Sequence, residues 1–549
     1  VVLLVTITLG SRADLALRQI EWRPLTVDLV TQSRYNSIVV ASRDSAHHFF
    51  ETGALAFTIP DLLYAEESAH IPLGCHPGPH RVLVIGGAGS GVIGEILRHK
   101  SVRTVDYVEA DPVLVSAIEA FAPPTWLAGA VPGSVNSNYG DGRQYIARTR
   151  SMYDVAVVCV GSPTSLQVNR YYTVEFLRSA ERILDRNGIL ALKIPVGGSY
   201  LGPDAASLVA AVANAARKVF PRVLVMPGEY VHVLASPGLD LAAQTALVGE
   251  RLARRGIETS YVNQFALWDR FSPRRMAEVD SVLAVYNPGV ANSDLRPVAF
   301  SSAISIWQKH FGAGRLVSGL SAQLTGPVTA LLLVACGLVC AAAFGIGCRA
   351  RRCFPDILAL YFVGLATMST QVLCVLGYQV ATGYIYSRIA ALIAAFMVGM
   401  GIASTLCGLF RRLASPSRFS YLFGLALALC PAVALAALRL LTADPRRFES
   451  GAPDVVFPAI ALVTGALGGT AFAQASAAME RAEPTVSRRA ALAYSADLIG
   501  ASVSGLATGW LIVPALGLAG TAYAISGACV AALGIVFTWR LVCPGCRPR

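Results

Sequence analysis

The sequence predicts two folds in one chain: a Rossmann-like α/β domain, doubly wound around a parallel sheet, and after it an all-α bundle of transmembrane helices. Three observations carry this. An apolar run, 82–85, reads as a buried strand and stops at Gly86-Gly87-Ala88-Gly89-Ser90-Gly91, after which a helical pattern begins at Val92, Ile93, Ile96 and Leu97. Strand, glycine turn and helix is how a doubly wound sheet holds a nucleoside or phosphate at its carboxyl edge. A second strand, 104–108, ends in Glu109, at the spacing of about 20 residues where an acidic side chain takes ribose hydroxyls. Beyond residue 327 apolar runs of about 20 residues recur, each long enough to cross a bilayer core.

Composition agrees with the second half of that reading. Mean hydropathy is +0.55, 54% of residues are hydrophobic and only 14% are charged, against about 25% charged in an ordinary globular domain. The excess is not uniform: residues 1–320 look like a soluble domain with a short apolar start. Seven apolar runs follow, at 327–347, 356–379, 389–410, 420–441, 455–477, 490–514 and 518–539, the last two joined at Gly517-Leu518.

In chain order, residues 1–23 read as the end of a preceding membrane segment with a linker, the alternative for the apolar stretch 1–9 being a short buried strand. Residues 24–75 form a small antiparallel β unit, its apolar stretches 25–30, 38–41 and 49–57 broken by Ser, Asp and Gly. Residues 76–300 form the Rossmann-like domain: after Glu109 come a helix at 112–121, a strand at 153–160, an amphipathic segment at 173–184, a strand at 188–194, a helix at 205–219 and a hairpin at 222–226 and 230–235. Alternating strands and helices give a parallel sheet covered on both faces. A linker at 301–326, the bundle at 327–540 and a tail at 541–549 complete the chain.

The formal net charge of +11 does not point to nucleic acid, because much of it sits in short loops between spans: Arg349, Arg351, Arg352; Arg411, Arg412, Arg418; Arg488, Arg489; Arg540, Arg547, Arg549. That is an orientation signal. It makes those loops cytoplasmic and, with an odd number of spans, puts residues 24–320 on the opposite face of an inner cell membrane crossed many times. An enzyme using cytosolic donors would require the reverse. Of the 12 cysteines, several lie inside spans as small apolar residues, and no secreted disulfide spacing occurs. Cys543 and Cys546 with Cys348 and Cys353 make four thiolates for zinc only if their helix ends share a side; an unliganded tail is the simpler reading, and no metal is expected.

Gly87-x-Gly89-x-Gly91 after a strand suits a nucleoside site, and Gly89-x-Gly91-x-x-Gly94 also satisfies the dinucleotide pattern; a tight turn without a ligand is the bland alternative, weakened by Glu109. From about residue 35 to 236 the order of motifs resembles the polyamine aminopropyltransferases, the spermidine synthase family. The residues that carry the likeness are the segment Tyr64-Ala-Glu-Glu-Ser-Ala-His70-Ile-Pro-Leu73, the glycine turn through Glu95 and Arg98-His99, Val108-Glu-Ala-Asp111, Tyr139-Gly-Asp141-Gly142 and Tyr172-Thr-x-Glu-Phe176. The resemblance implies an S-adenosylmethionine-type nucleoside, decarboxylated, as donor and a diamine as acceptor. It places Gly86, Gly87, Gly89, Gly91, Glu109, Asp141 and Gly142 around the nucleoside, and Tyr64 and Glu66 at the substrate. It also exposes departures. The family's turn carries an Asp where Gly89 stands, and its catalytic strand ends Asp-Ser-x-Asp-Pro where this chain has Cys159-Val-Gly-Ser162-Pro163. A cationic acceptor must be positioned and relieved of a proton, which is carboxylate work; Cys159 and Ser162 are degenerate catalytic positions. Cys159, ending a buried strand with no His partner in sequence, reads as a core thiol, and His70 and His99 as structural.

The joined arrangement also resembles bacterial proteins in which such a domain precedes a major-facilitator-like bundle. Small residues spaced for close helix contact recur (Gly465, Gly468, Gly469; Gly500, Ser504, Gly505), and Asp497 lies inside a span, where a carboxylate is by default a candidate for proton or cation passage or else bonds a neighbouring helix. Three readings stay open: a membrane-anchored aminopropyltransferase-like protein binding an adenosyl nucleoside and a polyamine, a non-catalytic sensor regulating a transporter-like bundle, and an S-adenosylmethionine-dependent methyltransferase. The missing carboxylates tell against turnover in the first; the small β unit with Tyr64 and Glu66 favours it over the third.

Overall fold

The computed structural model describes residues 19–123, 134–196, 201–310, 326–345, 354–383, 386–410, 418–443, 451–481 and 485–542. The expectations for 1–9, for Cys348, Cys353, Cys543 and Cys546, and for most of the loop arginines fall outside them. The chain divides into two compact units, residues 1–163 with 171–291 and residues 164–170 with 292–549.

The first unit begins with four antiparallel strands in sequential order, β1 (Thr26–Gln32), β2 (Ser37–Arg43), β3 (Ala46–Glu51) and β4 (Ala54–Ile59). The stretch expected as one strand at 49–57 is a hairpin. Thr52 and Gly53 both take positive φ, 51° and 82°, the geometry of a two-residue turn whose twist matches the flanking strands. Helix α1 (Leu62–Cys75) follows, capped by the Asp61 carboxylate, which accepts the Tyr64 N–H at 2.9 Å. Every residue from Ala65 to Cys75 is buried, so α1 has no polar face and no helical alternation to betray it.

The main sheet has seven strands in the order β10-β11-β9-β8-β5-β6-β7. β5 (Arg81–Gly86), β6 (Thr104–Glu109), β7 (Val135–Tyr139), β8 (Tyr153–Cys159) and β9 (Leu184–Pro195) run parallel. β10 (Arg222–Met226) and β11 (Tyr230–Ser236) pair antiparallel with each other and with β9. The sheet is therefore mixed rather than purely parallel: a short reversal returns β11 beside β9, and antiparallel neighbours need no crossover helix. Helices α2 (Val92–Leu97), α3 (Pro112–Phe121), α4 (Gly142–Arg148), α5 (Val174–Glu181) and α6 (Pro203–Arg217) make the crossovers. One core joins both sheets, with Ile38 and Phe49 from the small one, Val84 and Val105 from the large one and Ile93 from α2. Four further helices, α7 (Leu241–Thr245), α8 (Val248–Arg254), α9 (Gln264–Arg270) and α10 (Pro273–Val285), lie in a stretch that carried no assignment in the sequence.

The second segment of the second unit carries α11 (Val298–His310), where a linker from residue 301 was expected. Among the described residues seven apolar helices follow: α12 (Gly326–Gly345), α13 (Phe354–Thr382), α14 (Tyr386–Leu409), α15 (Arg418–Ala443), α16 (Ala452–Ala478), α17 (Val486–Ala507) and α18 (Val513–Val542). Five stretches among the described residues are long and apolar enough to cross a membrane; the last, Val486–Trp539, is 54 residues long and comprises α17 and α18. A π-helical turn at Thr508–Ile512 and non-helical Gly517, φ 70°, break it, close to the break expected at Gly517-Leu518. Asp497 is half-buried on α17, and the nearby Ser369 and Ser504 hydroxyls meet at 2.5 Å.

The small residues singled out in the sequence bring helix backbones together. A Cβ on Gly500 would lie 1.9 Å from the Tyr361 carbonyl oxygen, and one on Gly364 would lie 2.0 Å from that of Asp497. α14 and α16 use the same device, Gly465 against Phe396 and Gly399 against Leu462, each at 2.1 Å. Close backbone approach through small residues maximises van der Waals contact between helices. Gly500→Ala is expected to lower the thermal stability of the detergent-solubilised chain by roughly 1–3 kcal/mol, the usual cost of overpacking. Gly527→Ala, whose Cβ meets nothing within 4 Å, is the control; equal melting of the two variants would contradict this packing.

Candidate functional site

Four adjacent strands present chemically distinct residues at their carboxyl ends. β6 ends in Glu109, β5 in Gly86 and β8 in Cys159, the last two in direct register, and β9 carries Lys193 one residue beyond Leu192, the partner of Val158. The chain leaves β5 for β6 on one side and reaches β8 on the other, so the glycine turn lies at the topological switch point where open α/β sheets bind ligands.

The turn is sterically compelled. Gly86, Gly87 and Gly91 have φ of 70°, 74° and 80°, a region L-residues with a Cβ rarely enter. A Cβ on Gly86 would stand 2.8 Å from the Cys159 carbonyl oxygen, and one on Gly87 would stand 2.4 Å from the Cys159 Cβ. Gly89 is small for another reason: its Cβ would fall 2.1 Å from the Phe57 ring of β4. The small sheet thus presses on the turn from above.

Glu109 accepts the Ala110 and Asp111 N–H groups on Oε1 at 2.7 and 3.3 Å and the Tyr107 hydroxyl on Oε2 at 3.2 Å. Burial holds its carboxyl above the usual range, against those hydrogen bonds. Asp111 caps α3 through Oδ1, 3.0 Å from the Val113 N–H, while its buried Oδ2 has no hydrogen-bond partner among the described residues. Glu51, at the end of β3, completes the acidic group: burial first, then the charges of Glu109 and Asp111, raise its pKa to about 7, although Asn36 donates to it. The orphaned Asp111 oxygen and the open lone pairs of Glu109 fit a vicinal diol such as ribose, each hydroxyl of which brings a donor.

Asp141 is the cap of α4. Its Oδ1 accepts the Gln144 N–H at 3.0 Å and its Oδ2 the Tyr171 hydroxyl at 3.3 Å. Gly142 has no room for a side chain, its Cβ position being 2.7 Å from Ile85.

At the other end of the edge, the Tyr64 hydroxyl is hydrogen-bonded to the Cys159 thiol. Burial raises the Cys159 pKa, against hydrogen bonds from Tyr64 and Ser68 and the charge of Lys193, so the sulfur stays a thiol at neutral pH. Ser162 is half-buried in the segment after β8. Glu66 needs correction: it does not face this site. Its carboxylate accepts the backbone N–H groups of Ser260, Tyr261 and Val262 at 2.8, 2.7 and 3.1 Å, latching that segment onto α1. The next residue along a helix points about 100° away, and it is Glu67 that meets Lys193 at 3.8 Å, His232 at 3.3 Å and Arg270. Burial alone would raise the Glu67 pKa; the hydrogen bonds of His232 and Arg270 and the charge of Lys193 outweigh it and hold the carboxyl at about 2. Burial pulls Lys193 down to about 8, with Glu67 opposing, so it remains an ammonium at pH 7.

His70 and His99 are structural. Glu95 bonds His70 Nε2 at 2.9 Å, His70 Nδ1 bonds His99 Nε2 at 2.9 Å, and Arg255 meets His99 Nδ1 at 3.0 Å. Burial first, then His70, Arg255 and Arg98, keep His99 neutral, near 2.

Glu51, Glu67 and Lys193 were not among the sequence candidates. Lys193 carried a signal, a lone charge inside the apolar strand 189–194; Glu51 carried none, because it belongs to the other sheet and meets the charges of Glu109 and Asp111 only in the folded chain.

The first unit is thus a Rossmann-type α/β domain with a site at its switch point. Residues 61–223 match the spermine/spermidine synthase domain. The polyamine aminopropyltransferase of Methanocaldococcus jannaschii is 36% identical over 131 residues, 24% of this chain and 44% of that protein. That of Bacillus cereus is 32% identical over 162 residues, 29% of this chain and 56% of that protein. The chain spans about half the length of these curated relatives. Among solved structures, a spermidine synthase in complex with the transition-state analogue AdoDATO aligns with a TM-score of 0.42 at 23% identity, covering 47% of this chain and 89% of that one. The spermidine synthase of Thermotoga maritima gives 0.40 at 21%, covering 47% and 88%.

Because Glu51 has a folded pKa of about 7 against an ordinary 4.5, its contribution to stability is full below pH 4.5 and lost as pH rises through 7, at up to about 1.4 kcal/mol per pH unit. Glu51→Gln, which keeps an acceptor for Asn36, is expected to melt with the parent at pH 4.5 and several degrees above it at pH 8. Parallel melting curves across that range would remove Glu51 from the acidic group.

Proposed function

We propose that this chain is a multi-pass membrane protein whose α/β domain binds an adenosyl nucleoside of the S-adenosylmethionine type and does not turn over a diamine. The observation that carries the reading is the juxtaposition, at the switch point, of the Gly86–Gly87 turn with Glu109 and the unpartnered Asp111 oxygen. The aminopropyltransferase likeness of residues 61–223 supports an adenosyl ligand rather than another nucleotide. Glu109 and Asp111 would hold the ribose, and the glycine turn would admit the chain attached to it. When bound, a sulfonium nucleoside supplies an activated alkyl carbon.

The chain's own residues argue against a diamine reacting with that carbon. Cys159 and Ser162 stand where the family has carboxylates, Cys159 is held as a thiol, and Glu67 is already paired with Lys193, His232 and Arg270. A non-catalytic sensing domain on an apolar bundle accounts for these features together. The apolar helices support the membrane placement.

Calorimetry on the full chain in detergent with methylthioadenosine and decarboxylated S-adenosylmethionine tests the binding. Glu109→Ala is expected to weaken it by about tenfold or more, since buried ribose hydroxyls would lose their acceptor at roughly 1–3 kcal/mol. Unchanged affinity would sink the assignment of Glu109. In the same preparation, decarboxylated S-adenosylmethionine with 1,4-diaminobutane is expected to yield little or no spermidine, because loss of general-base assistance alone costs about 10²–10⁴-fold. Product formed at about one turnover per second, a low but ordinary enzyme rate, would refute the non-catalytic reading.

A further inference from the structure

Lys193 sits where a chain rarely leaves a charge. It is 3% exposed, inside the central sheet. Its Nζ lies 3.6 Å from the centroid of the Tyr64 ring and 4.1 Å from that of Tyr230, and the two rings stand edge to face, 89° apart. It donates to the Tyr64 carbonyl at 3.0 Å and to the Ser68 hydroxyl at 3.1 Å, and a Glu67 carboxylate oxygen is 3.8 Å away. Two aromatic faces, a carboxylate and two neutral acceptors are the chemistry that recognises an alkylammonium. Here the ammonium is the protein's own: two of its three donors go to the Tyr64 carbonyl and the Ser68 hydroxyl, and the Glu67 carboxylate balances its charge.

We propose that Lys193 is the built-in occupant of an alkylammonium receptor beside Cys159, so that the domain as folded rejects amine ligands at that position. The proposal rests on the nucleoside reading only for which substrate the receptor adjoins. Along the carboxyl edge, Glu109 and Gly86 lie on the nucleoside side and Lys193 lies beyond Cys159, where a second molecule would approach. An amine arriving there meets a like charge and finds both rings and the carboxylate engaged. The receptor outlasts the loss of its occupant, because Glu67 keeps Arg270 and His232 and does not become an unpaired buried charge.

The test is complementation of a shortened side chain. Lys193→Ala removes a propylammonium from the box, so the probes are propylammonium chloride and 1,4-diaminobutane, with 1-propanol as the neutral control. Binding to the full chain in detergent is read by calorimetry, and folding by melting temperature. Lys193→Met, which fills the volume without the charge, and the parent are the comparisons. Lys193→Ala is expected to bind propylammonium at least tenfold more tightly than either, and propanol no better than either. A folded Lys193→Ala that gains no amine binding overturns the proposal. So does a parent protein that binds propylammonium or 1,4-diaminobutane and loses that binding in Tyr230→Ala, a result that needs no Lys193→Ala protein. Methylthioadenosine affinity of the parent is read separately; its absence would refute the nucleoside reading and leave the amine comparison intact.

Discussion

Everything at the functional edge depends on a turn with no room for side chains. Gly86 and Gly87 curl in left-handed geometry directly against Cys159, with 2.8 and 2.4 Å between their missing Cβ atoms and the facing strand. β5 and β8 therefore stay paired to their last residues, and Glu109, Gly86, Cys159 and Lys193 fall into one row. A larger residue at either glycine would push the turn off the strand end and scatter that row. Phe57 closes the other side over Gly89, so the small sheet is part of the same constraint.

Around this row several buried charges join distant segments. Helix α1 is the hub. Glu66 fastens residues 260–262, Glu67 gathers Lys193, His232 and Arg270, and His70 links Glu95 to His99 and Arg255. In a buried setting such pairs contribute little net stability when complete, and breaking one is costly. Their effect is to set the position of α1, and with it Tyr64, against the end of the sheet. The acidic group of Glu51, Glu109 and Asp111 is eased instead by neutral donors and by the upward shift of Glu51 to about 7.

The bundle follows a different rule. Its helices approach through glycines backbone to backbone, α13 on α17 and α14 on α16. Buried hydroxyls also meet between these helices, as Ser369 does with Ser504. The two units thus hold together by opposite means, cross-linked charges in one and close backbone contact in the other.

The sequence by itself determined what is local or periodic: the glycine turn, Glu109 at its strand end, the crossover helices other than the short α4, the apolar helices with their break at Gly517, and the small residues that seat them. These depend on spacing along the chain, which the order of residues states directly. It did not determine the antiparallel return of β11 beside β9, the hairpin at Thr52-Gly53, or the helix beginning at Val298, where local turn chemistry or tertiary contact prevails over pattern. Above all, tertiary structure decided which way adjacent side chains on one buried helix point. Glu66 went to a backbone latch and Glu67 to the site, and a lysine 129 residues from Tyr64 came to rest beside its ring. Desolvation makes a buried charge seek partners wherever the fold brings them, and no spacing in the chain records where that will be.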